Sequence, residues 1–278
     1  MIIKSHAKIN CHLGVLGKLK NIHKIETLVF FLNLHDEIYI KPSTKKKHEI
    51  KFIGRFSKNI NKNNTIINLL NLLDEKNLLK NKKYFIKIKK NIPLKSGMGG
   101  GSMNAATLLN YFIKFRKINV DNKTINYICK KIGSDVILGL SNKPTILKTD
   151  GKVYRINKKI NLPIVLIKPK FGCNSGIIYR KVKSFSKSIL KPKKVSYLSI
   201  KDIKKFRNDL EILVLNKHPK LKNVKKTLNN LPNIVVSRIT GSGSTFVGYF
   251  LNKNHALHGT KILKKKYKNY WCILTKTI

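Results

Sequence analysis

The stretch that decides the fold reads "PLKSGMGGGSMNAATLLNYF", residues 93–112. Between Gly97 and Gly101 every residue except Met98 is glycine, and Ser102 follows. The segment before this stretch, "KYFIKIKK", alternates apolar and polar residues with the period of a strand. The segment after the glycines is rich in Ala and Leu, which is typical of a helix. A glycine-rich loop is therefore expected to join a strand to a helix.

A loop of this kind is suited to binding phosphate. Glycine lets the backbone approach an anion closely and adopts positive φ at little cost. The start of the following helix adds free N–H groups and the positive end of the helix dipole. The order of residues is not that of a Walker A loop, because no lysine follows the glycines, and it is not GxGxxG. A tight structural turn remains the alternative for this loop at this point.

A second glycine loop, "TGSGST", covers residues 240–245 between two predicted strands. Alone it predicts little more than a hairpin turn. Two such loops in different halves of the chain favour a common ligand.

The rest of the chain alternates between strand and helix patterns. Along residues 3–15 every second side chain lies on one face, which is mostly apolar, and the other face carries Lys4, His6, Lys8, Asn10 and His12. Further strands are predicted at "TLVFFL", "DEIYIKP" and "HEIKFIG", a helix at 65–79, and a hairpin at Asp150-Gly151. The second half predicts a strand at "NLPIVLIKP", two or three Lys-rich helices, a helix at about 255–268 and a final strand. Together, these strands and helices predict an α+β fold.

Composition narrows the class of protein. The chain has 278 residues, of which 42% are hydrophobic, enough for a substantial core. No apolar run reaches the roughly 20 residues of a membrane span, and the first residues do not form a secretory signal. The four cysteines are far apart, which indicates reduced thiols rather than disulfides or a zinc site. We therefore expect a soluble, cytoplasmic protein without membrane association.

The net charge of +47, from 59 basic and 12 acidic residues, raises the possibility of nucleic-acid binding. The basic residues are spread along the whole chain and are nearly all lysine, whereas readers of bases and phosphates rely on arginine forks. Enrichment in Lys, Asn and Ile is also what A/T-rich codons produce. Nucleic acid is thus an unlikely partner, but a basic nucleic-acid-binding protein remains the alternative of a different class.

Two charged residues are candidates for catalysis. Asp135, in "KKIGSDVILGL", follows a predicted helix end and precedes an apolar run, so its carboxylate is expected at the edge of the core. Lys8 lies on a short strand, which would hold its charge more rigidly than a solvated helix does. On local grounds alone, a structural turn residue and a surface lysine are the competing interpretations.

Four segments, in this order, resemble the GHMP kinases: "SHAKINCHLGVLG", "PLKSGMGGGSMNAATLL", "IGSDVILGL" and "SRITGSGSTFVGYF". The resemblance runs over nearly the full length. It implies a two-domain α+β GHMP kinase fold, with a left-handed βαβ crossover in the N-terminal domain and a ferredoxin-like C-terminal domain. We expect the domains to cover residues 1–155, which carry the ATP phosphate loop, and 156–278.

The resemblance also implies the reaction. Its details favour transfer of the γ-phosphate of ATP, with Mg²⁺, to the 2-hydroxyl of 4-diphosphocytidyl-2-C-methyl-D-erythritol, in the non-mevalonate route to isoprenoid precursors. Another small-molecule GHMP kinase, of the homoserine or mevalonate type, is the alternative within the family. The partners would then be ATP and the cytidyl diphosphate, and the protein would be a monomer or a homodimer.

Site residues follow from the matched motifs. Asp135 matches the family's general base and Lys8 its catalytic lysine. Asn10, His23 and Tyr179 match residues that hold the cytidyl group, and Gly241, Ser242 and Gly243 match a loop that closes the site. The ATP phosphate loop corresponds to Lys95, Ser96, Gly97, Met98, Gly99, Gly100, Gly101 and Ser102. No protein ligand for Mg²⁺ stands out, although the hydroxyl of Ser102 is a candidate.

The chain departs from the family pattern at Ile22, at Met103 and at the start of the loop, "LKSG", which is less rich in glycine than usual. Ile22 occupies the place of the aromatic residue that usually precedes His23. In the family, the cytosine is expected to lie between that aromatic ring and the one matched by Tyr179, so one of the two rings is missing here or is supplied elsewhere. Met103 stands where a second serine is common, which would leave Mg²⁺ to Ser102 or to water.

Overall fold

A computed structural model of the chain describes residues 1–20, 22–116, 118–192 and 198–278. The chain folds into two compact units, each built from several segments. The first unit consists of Met1–Lys8, Leu34–Leu94 and Gly99–Asn142, and the second of Ile9–Asn33, Lys95–Met98 and Lys143–Ile278. The division into contiguous domains at residue 155 stays a prediction.

The described elements are a mixture of strands and helices, which confirms the α+β class. The strands are β1 Ile2–Leu19, β2 Ile22–Ser43, β3 Glu49–Ile53, β4 Lys83–Lys89, β5 Thr145–Leu147, β6 Val153–Arg155, β7 Pro163–Lys168, β8 Val236–Ile239, β9 Phe246–Tyr249 and β10 Trp271–Lys276. The helices are α1 Thr65–Glu75, α2 Gly100–Phe115, α3 Asn122–Ile132, α4 Ser175–Arg180, α5 Ile200–Lys205, α6 Glu211–Lys217, α7 Lys220–Asn229 and α8 Lys253–Lys266, with a 3₁₀ turn at Leu138–Leu140. Part of the predicted Lys-rich helical region, residues 193–197, lies outside the described residues.

One prediction of local structure is wrong. "TLVFFL" and "DEIYIKP" were expected to be separate strands, but both belong to β2. No Gly or Pro lies between them, and each half of β2 has its own partner. Thr27–Val29 pairs with β5, and Glu37–Ser43 pairs with β4. Backbone hydrogen bonds along both halves keep the chain extended where the sequence alone shows only a polar interruption.

The first unit contains a parallel βαβ arrangement that leads to the glycine-rich loop. Strands β3 and β4 pair in parallel, and α1 lies between them in the chain. The side chain of Asn64 caps α1 by accepting hydrogen bonds from two N–H groups of its first turn. Buried residues of β4, α1 and α2 share one core, among them Ile86, Leu69 and Leu108. The left-handed sense of the crossover stays a prediction.

The second unit contains a four-stranded antiparallel sheet in the order β10-β7-β9-β8. Helices connect β7 to β8 and β9 to β10, whereas β8 and β9 form a hairpin. This βαββαβ order, with the first and third strands at the centre, is that of the ferredoxin-like fold. The predicted C-terminal topology is confirmed. The hairpin expected at Asp150-Gly151 is also present, joining β5 to β6.

Burial along β1 differs from the simple two-face pattern. The side expected to be polar is exposed at Lys4 but buried at Lys8, Asn10 and His12. Buried polar side chains require partners, so this half of β1 marks a site or a structural network. All four cysteines are buried free thiols, as the sequence predicts. In the described part of the chain, no helix combines the length and apolar character that crossing a membrane requires.

Candidate active site

Lys8 and Asp135, 127 positions apart in the chain, form an ion pair in the first unit. Lys8 Nζ lies 3.0 Å from Asp135 Oδ2. The lysine side chain is 4% exposed, whereas the aspartate side chain is 30% exposed. A buried cation thus faces a carboxylate that solvent or a ligand can reach, so the carboxylate is accessible for proton transfer.

Helix α2 supports the segment that carries Asp135. Consecutive turns follow Gly133, with Val136 N donating to Gly133 O and Leu138 N donating to Asp135 O. Gly139 packs directly on α2, because a Cβ there would lie 2.7 Å from the Cβ of Ala106. The close approach fixes the Asp135 turn against the helix that begins at the glycine-rich loop.

Gly99 joins the loop to the pair of Lys8 and Asp135. It is the N-cap of α2, with φ of 69°, and no side chain caps this end of the helix. A Cβ on Gly99 would lie 3.0 Å from Cε and Cγ of Lys8, so the close approach of loop and lysine also requires glycine. The first N–H groups of α2, at Gly100, Gly101 and Ser102, have no partners within the helix. They lie at its positive end, which suits a phosphate.

Ser102 and Met103 follow with different surroundings. Ser102 is half-buried, and its Oγ lies 3.7 Å from the Cβ position of Gly133, so its hydroxyl is near the Asp135 turn. Met103 is buried, and its Sδ lies 2.9 Å from the Cβ position of Gly139. The methionine that replaces a hydroxyl in the family pattern therefore serves packing.

The donor set of the described residues suits a cation that arrives with its ligand. Within residues 1–20, 22–116, 118–192 and 198–278, no group of three or more His, Cys, Asp or Glu is arranged to hold a metal ion. Mg²⁺ in nucleotide sites keeps several waters and takes most other ligands from phosphates and one or two carboxylates. The hydroxyl of Ser102 fits that limited role.

The second unit contains the other half of the glycine-rich loop, Lys95–Met98. Gly97 has φ of 76°, and a Cβ there would lie 2.1 Å from the carbonyl oxygen of Thr240. Gly172 similarly approaches Lys95, since a Cβ on Gly172 would lie 2.3 Å from that of Lys95. Ser96 Oγ accepts a hydrogen bond from Met98 N. Backbone-to-backbone contacts thus hold this half of the loop.

The second glycine loop closes the β8–β9 hairpin, with Thr240 N donating to Thr245 O. Gly241 and Gly243 both have positive φ, of 55° and 82°. The hydroxyl of Ser242 lies 2.6 Å from that of Ser175 at the start of α4. The predicted turn is present, and its contact with the Lys95–Met98 segment explains why its residues are so small.

The rings of His23 and Tyr179 lie close together in the second unit. Their ring centroids are 5.2 Å apart, with an angle of 38° between the planes. Burial and then the positive charge of Lys18 lower the pKa of His23, which leaves a neutral imidazole near pH 7. Ile22, which precedes His23 in the chain, is 76% exposed and adds no aromatic surface.

Asn10, in contrast, is buried and is bonded to other side chains of the second unit. Its Nδ2 donates to Thr27 Oγ1 at 2.8 Å, and its Oδ1 lies 3.3 Å from Thr240 Oγ1. An Asn10 side chain held in this way presents a fixed orientation to any ligand.

Sequence reasoning missed several buried polar residues. Glu26 is fully buried and accepts hydrogen bonds from Lys148, Ser188 and the N–H groups of residues 189 and 190. Burial acts to raise the pKa of Glu26, but these hydrogen bonds outweigh it and the pKa falls. Thr27, Thr240 and Asn208 were also missed. In the sequence, the only indication of these three residues is that each is polar and lies beside an apolar run or a glycine turn.

Comparisons with known proteins agree with the geometry. The family model for the GHMP kinase N-terminal domain matches residues 64–147. A 4-diphosphocytidyl-2-C-methyl-D-erythritol kinase from Pelagibacter ubique is 49% identical over 276 residues, which cover 99% of this chain and 98% of that protein. The kinase of the same name from Wolbachia pipientis wMel is 30% identical, with 99% and 98% coverage.

Solved structures show the same fold. A crystal structure of a 4-(cytidine 5'-diphospho)-2C-methyl-D-erythritol kinase superimposes with a TM-score of 0.78 at 21% identity, covering 99% of both chains. Homoserine kinase from Cytophaga hutchinsonii gives a TM-score of 0.69 at 15% identity, covering 99% of this chain and 95% of that one. The comparisons give no support to the nucleic-acid-binding alternative. From the full-length identity, the chain belongs to the 4-diphosphocytidyl-2-C-methyl-D-erythritol kinases, within the GHMP kinases.

Proposed function

We propose that this protein transfers the γ-phosphoryl group of ATP to the 2-hydroxyl of 4-diphosphocytidyl-2-C-methyl-D-erythritol, as a step towards isoprenoid precursors. The observation that carries the proposal is the ion pair of Lys8 and Asp135 beside the start of α2. Membership of the kinase family supplies the donor, ATP, and the names of the relatives indicate the acceptor.

The proposed chemistry uses the pair as follows. The acceptor hydroxyl gives its proton to the Asp135 carboxylate while its oxygen bonds to the γ-phosphorus. The bond from that phosphorus to the β-γ bridging oxygen breaks, and ADP leaves. Lys8 holds the carboxylate in place and neutralises charge that builds on the transferring group. Phosphoryl transfer depends mostly on positioning and charge, and a well-placed carboxylate and ammonium contribute to both.

The start of α2 receives the phosphates. The N–H groups of Gly100, Gly101 and Ser102 donate to phosphate oxygens, and the glycines leave space for them. Mg²⁺, when bound with ATP, supplies further charge neutralisation at the phosphates. Ser102 is the residue of this chain that would hold it.

Asp135→Asn tests the proposed base. It keeps the size of the side chain and removes its basicity, so kcat should fall about 100-fold or more while ATP binding persists. The matched control is Asp150→Asn in the exposed β5–β6 turn, which should retain wild-type turnover. A turnover for Asp135→Asn equal to that of the control would contradict the assignment.

Release of ADP identifies the acceptor. The purified protein would be given Mg-ATP with the cytidyl diphosphate and, in parallel, with homoserine and with mevalonate. We expect turnover with the cytidyl substrate alone. Turnover only with homoserine or mevalonate would keep the kinase and overturn the proposed acceptor.

We further propose that the enzyme works in the cytoplasm as a monomer or homodimer. Four buried, reduced thiols suit a reducing compartment. Sedimentation of the purified protein would report its oligomeric state.

A further inference from the structure

One buried hydroxyl in the second unit contacts two predicted site segments at once. Thr240 is 0% exposed, and its Oγ1 accepts a hydrogen bond from Asn10 N at 3.0 Å. The same oxygen lies 3.2 Å from Gly97 O and 3.3 Å from Asn10 Oδ1. Its single proton can serve either oxygen, so both are within its reach. The hydroxyl therefore joins β1 to the glycine-rich loop.

The Asn10 side chain is fixed from both ends. On one side its Oδ1 faces Thr240, and on the other its Nδ2 donates to Thr27 Oγ1 at 2.8 Å. Thr27 Oγ1 in turn donates to the carbonyl oxygen of His12 at 2.5 Å. Turning the amide over would place Asn10 Oδ1 against Thr27 Oγ1, whose proton already goes to His12 O, so the contact with Thr27 favours the observed orientation.

The backbone around Thr240 is equally constrained. A Cβ on Gly241 would lie 3.0 Å from Gly97 O, so the two glycine loops are in direct contact. Asn208 holds the far side, with Nδ2 donating to Ile239 O at 2.8 Å and to Gly241 O at 2.7 Å. The backbone around Thr240 is thus held in place, so it cannot move to make up for the loss of the Thr240 hydroxyl.

We infer that Thr240 is a positioning residue of the kinase reaction, which holds the Asn10 side chain and the Gly97 backbone at one point. This inference rests on the proposed function. It assigns Thr240 no contact with substrate: the residue acts through Asn10 on the acceptor and through Gly97 on the nucleotide phosphates. Loss of this one hydroxyl should therefore weaken both the use of the acceptor and the binding of the nucleotide.

Thr240→Val tests the inference, because valine keeps the branched shape and removes the hydroxyl. We expect kcat/KM for the cytidyl substrate to fall about tenfold or more, and the Kd for a non-hydrolysable ATP analogue to rise roughly threefold to tenfold. Thr240→Ser restores the hydroxyl and should recover most of both. The matched control is Thr260→Val, since Thr260 is a buried threonine of α8 whose hydroxyl bonds only within that helix, to Ala256 O.

Thr27→Val provides a second, selective variant. It removes the acceptor of Asn10 Nδ2 but leaves the contact between Thr240 and Gly97. We expect it to lower kcat/KM for the cytidyl substrate and to leave the Kd for the ATP analogue unchanged. This variant keeps the inference testable if Thr240→Val does not fold.

The outcomes separate positioning from general stability. A purely structural role would lower the melting temperature of Thr240→Val and Thr260→Val alike and leave the kinetics and Kd of both near wild type. That result would overturn the inference, as would a change in only one of the two substrates for Thr240→Val. If the wild type does not phosphorylate the cytidyl substrate, the proposed function fails. The calorimetric Kd for the ATP analogue, together with the serine rescue, still decides whether Thr240 positions the loop.

Discussion

Gly97→Ala is the substitution whose effect the structure predicts most directly. At Gly97, φ is 76°, where an L-residue with a Cβ pays about 1–2 kcal/mol relative to glycine. The new Cβ would also lie 2.1 Å from Thr240 O and 3.1 Å from Gly243 O. Both neighbours are backbone atoms, which cannot turn away as the end of a side chain can.

The size of the displacement follows from the contact. Ordinary van der Waals contact begins at 3.4 Å, so the loop must move by about 1.3 Å to admit the methyl group. A displacement of about 1 Å in a binding loop can cost about 100-fold in rate. We therefore expect kcat/KM for ATP to fall about 100-fold in Gly97→Ala, beyond a loss of stability that lowers the melting temperature by a few degrees.

Gly151→Ala is the matched control. Gly151 has φ of 82° in the β5–β6 turn, and no atom lies within 4 Å of its Cβ position. Gly151→Ala therefore has the same conformational cost of positive φ as Gly97→Ala but no steric clash. It should lose stability and keep the wild-type kcat/KM. ADP release and thermal unfolding would be measured on both variants. If Gly97→Ala retained kcat/KM within about threefold of Gly151→Ala, the argument from close backbone contact would be refuted.

Two further predictions concern His12 and Ile22. Burial lowers the pKa of His12 to about 4, more than the nearby carboxylates of Glu26 and Asp209 raise it, so the unfolded chain binds a proton that the folded chain does not. The free energy of unfolding should therefore fall as the pH drops from 6.5 to 4, and it should fall by about 3 kcal/mol more in the wild type than in His12→Phe. Urea unfolding at each pH would measure this difference. An equal fall in both proteins would contradict the assignment. Ile22→Tyr adds a ring beside His23 and Tyr179, and stacking worth about 1–3 kcal/mol should lower the KM for the cytidyl substrate fivefold or more without changing that for ATP. An unchanged KM would mean that position 22 does not face the nucleobase.

Features with a local cause could be predicted from the sequence. The glycine-rich loop, α2 after it and the β8–β9 hairpin follow from turn residues and from the period of apolar side chains. Lys8 and Asp135 were candidates because of their local settings, the family resemblance supplied their proposed roles, and the structure pairs them. The continuity of β2 was missed, because its extended conformation at residues 32–36 depends on strands that pair on either side.

By itself, then, the sequence determined most of the order of the elements, the family and the candidate residues for phosphoryl transfer. Tertiary structure alone decided which polar groups are buried together. Asn10 and Thr240 are 230 positions apart, and nothing in either local pattern predicts the bond between them. Burial on both faces of β1 likewise depends on which segments cover it. Periodicity describes the surroundings of a residue along its own strand or helix, whereas a hydrogen-bond partner or a 2.1 Å approach between Gly97 and Thr240 exists only after distant segments have packed.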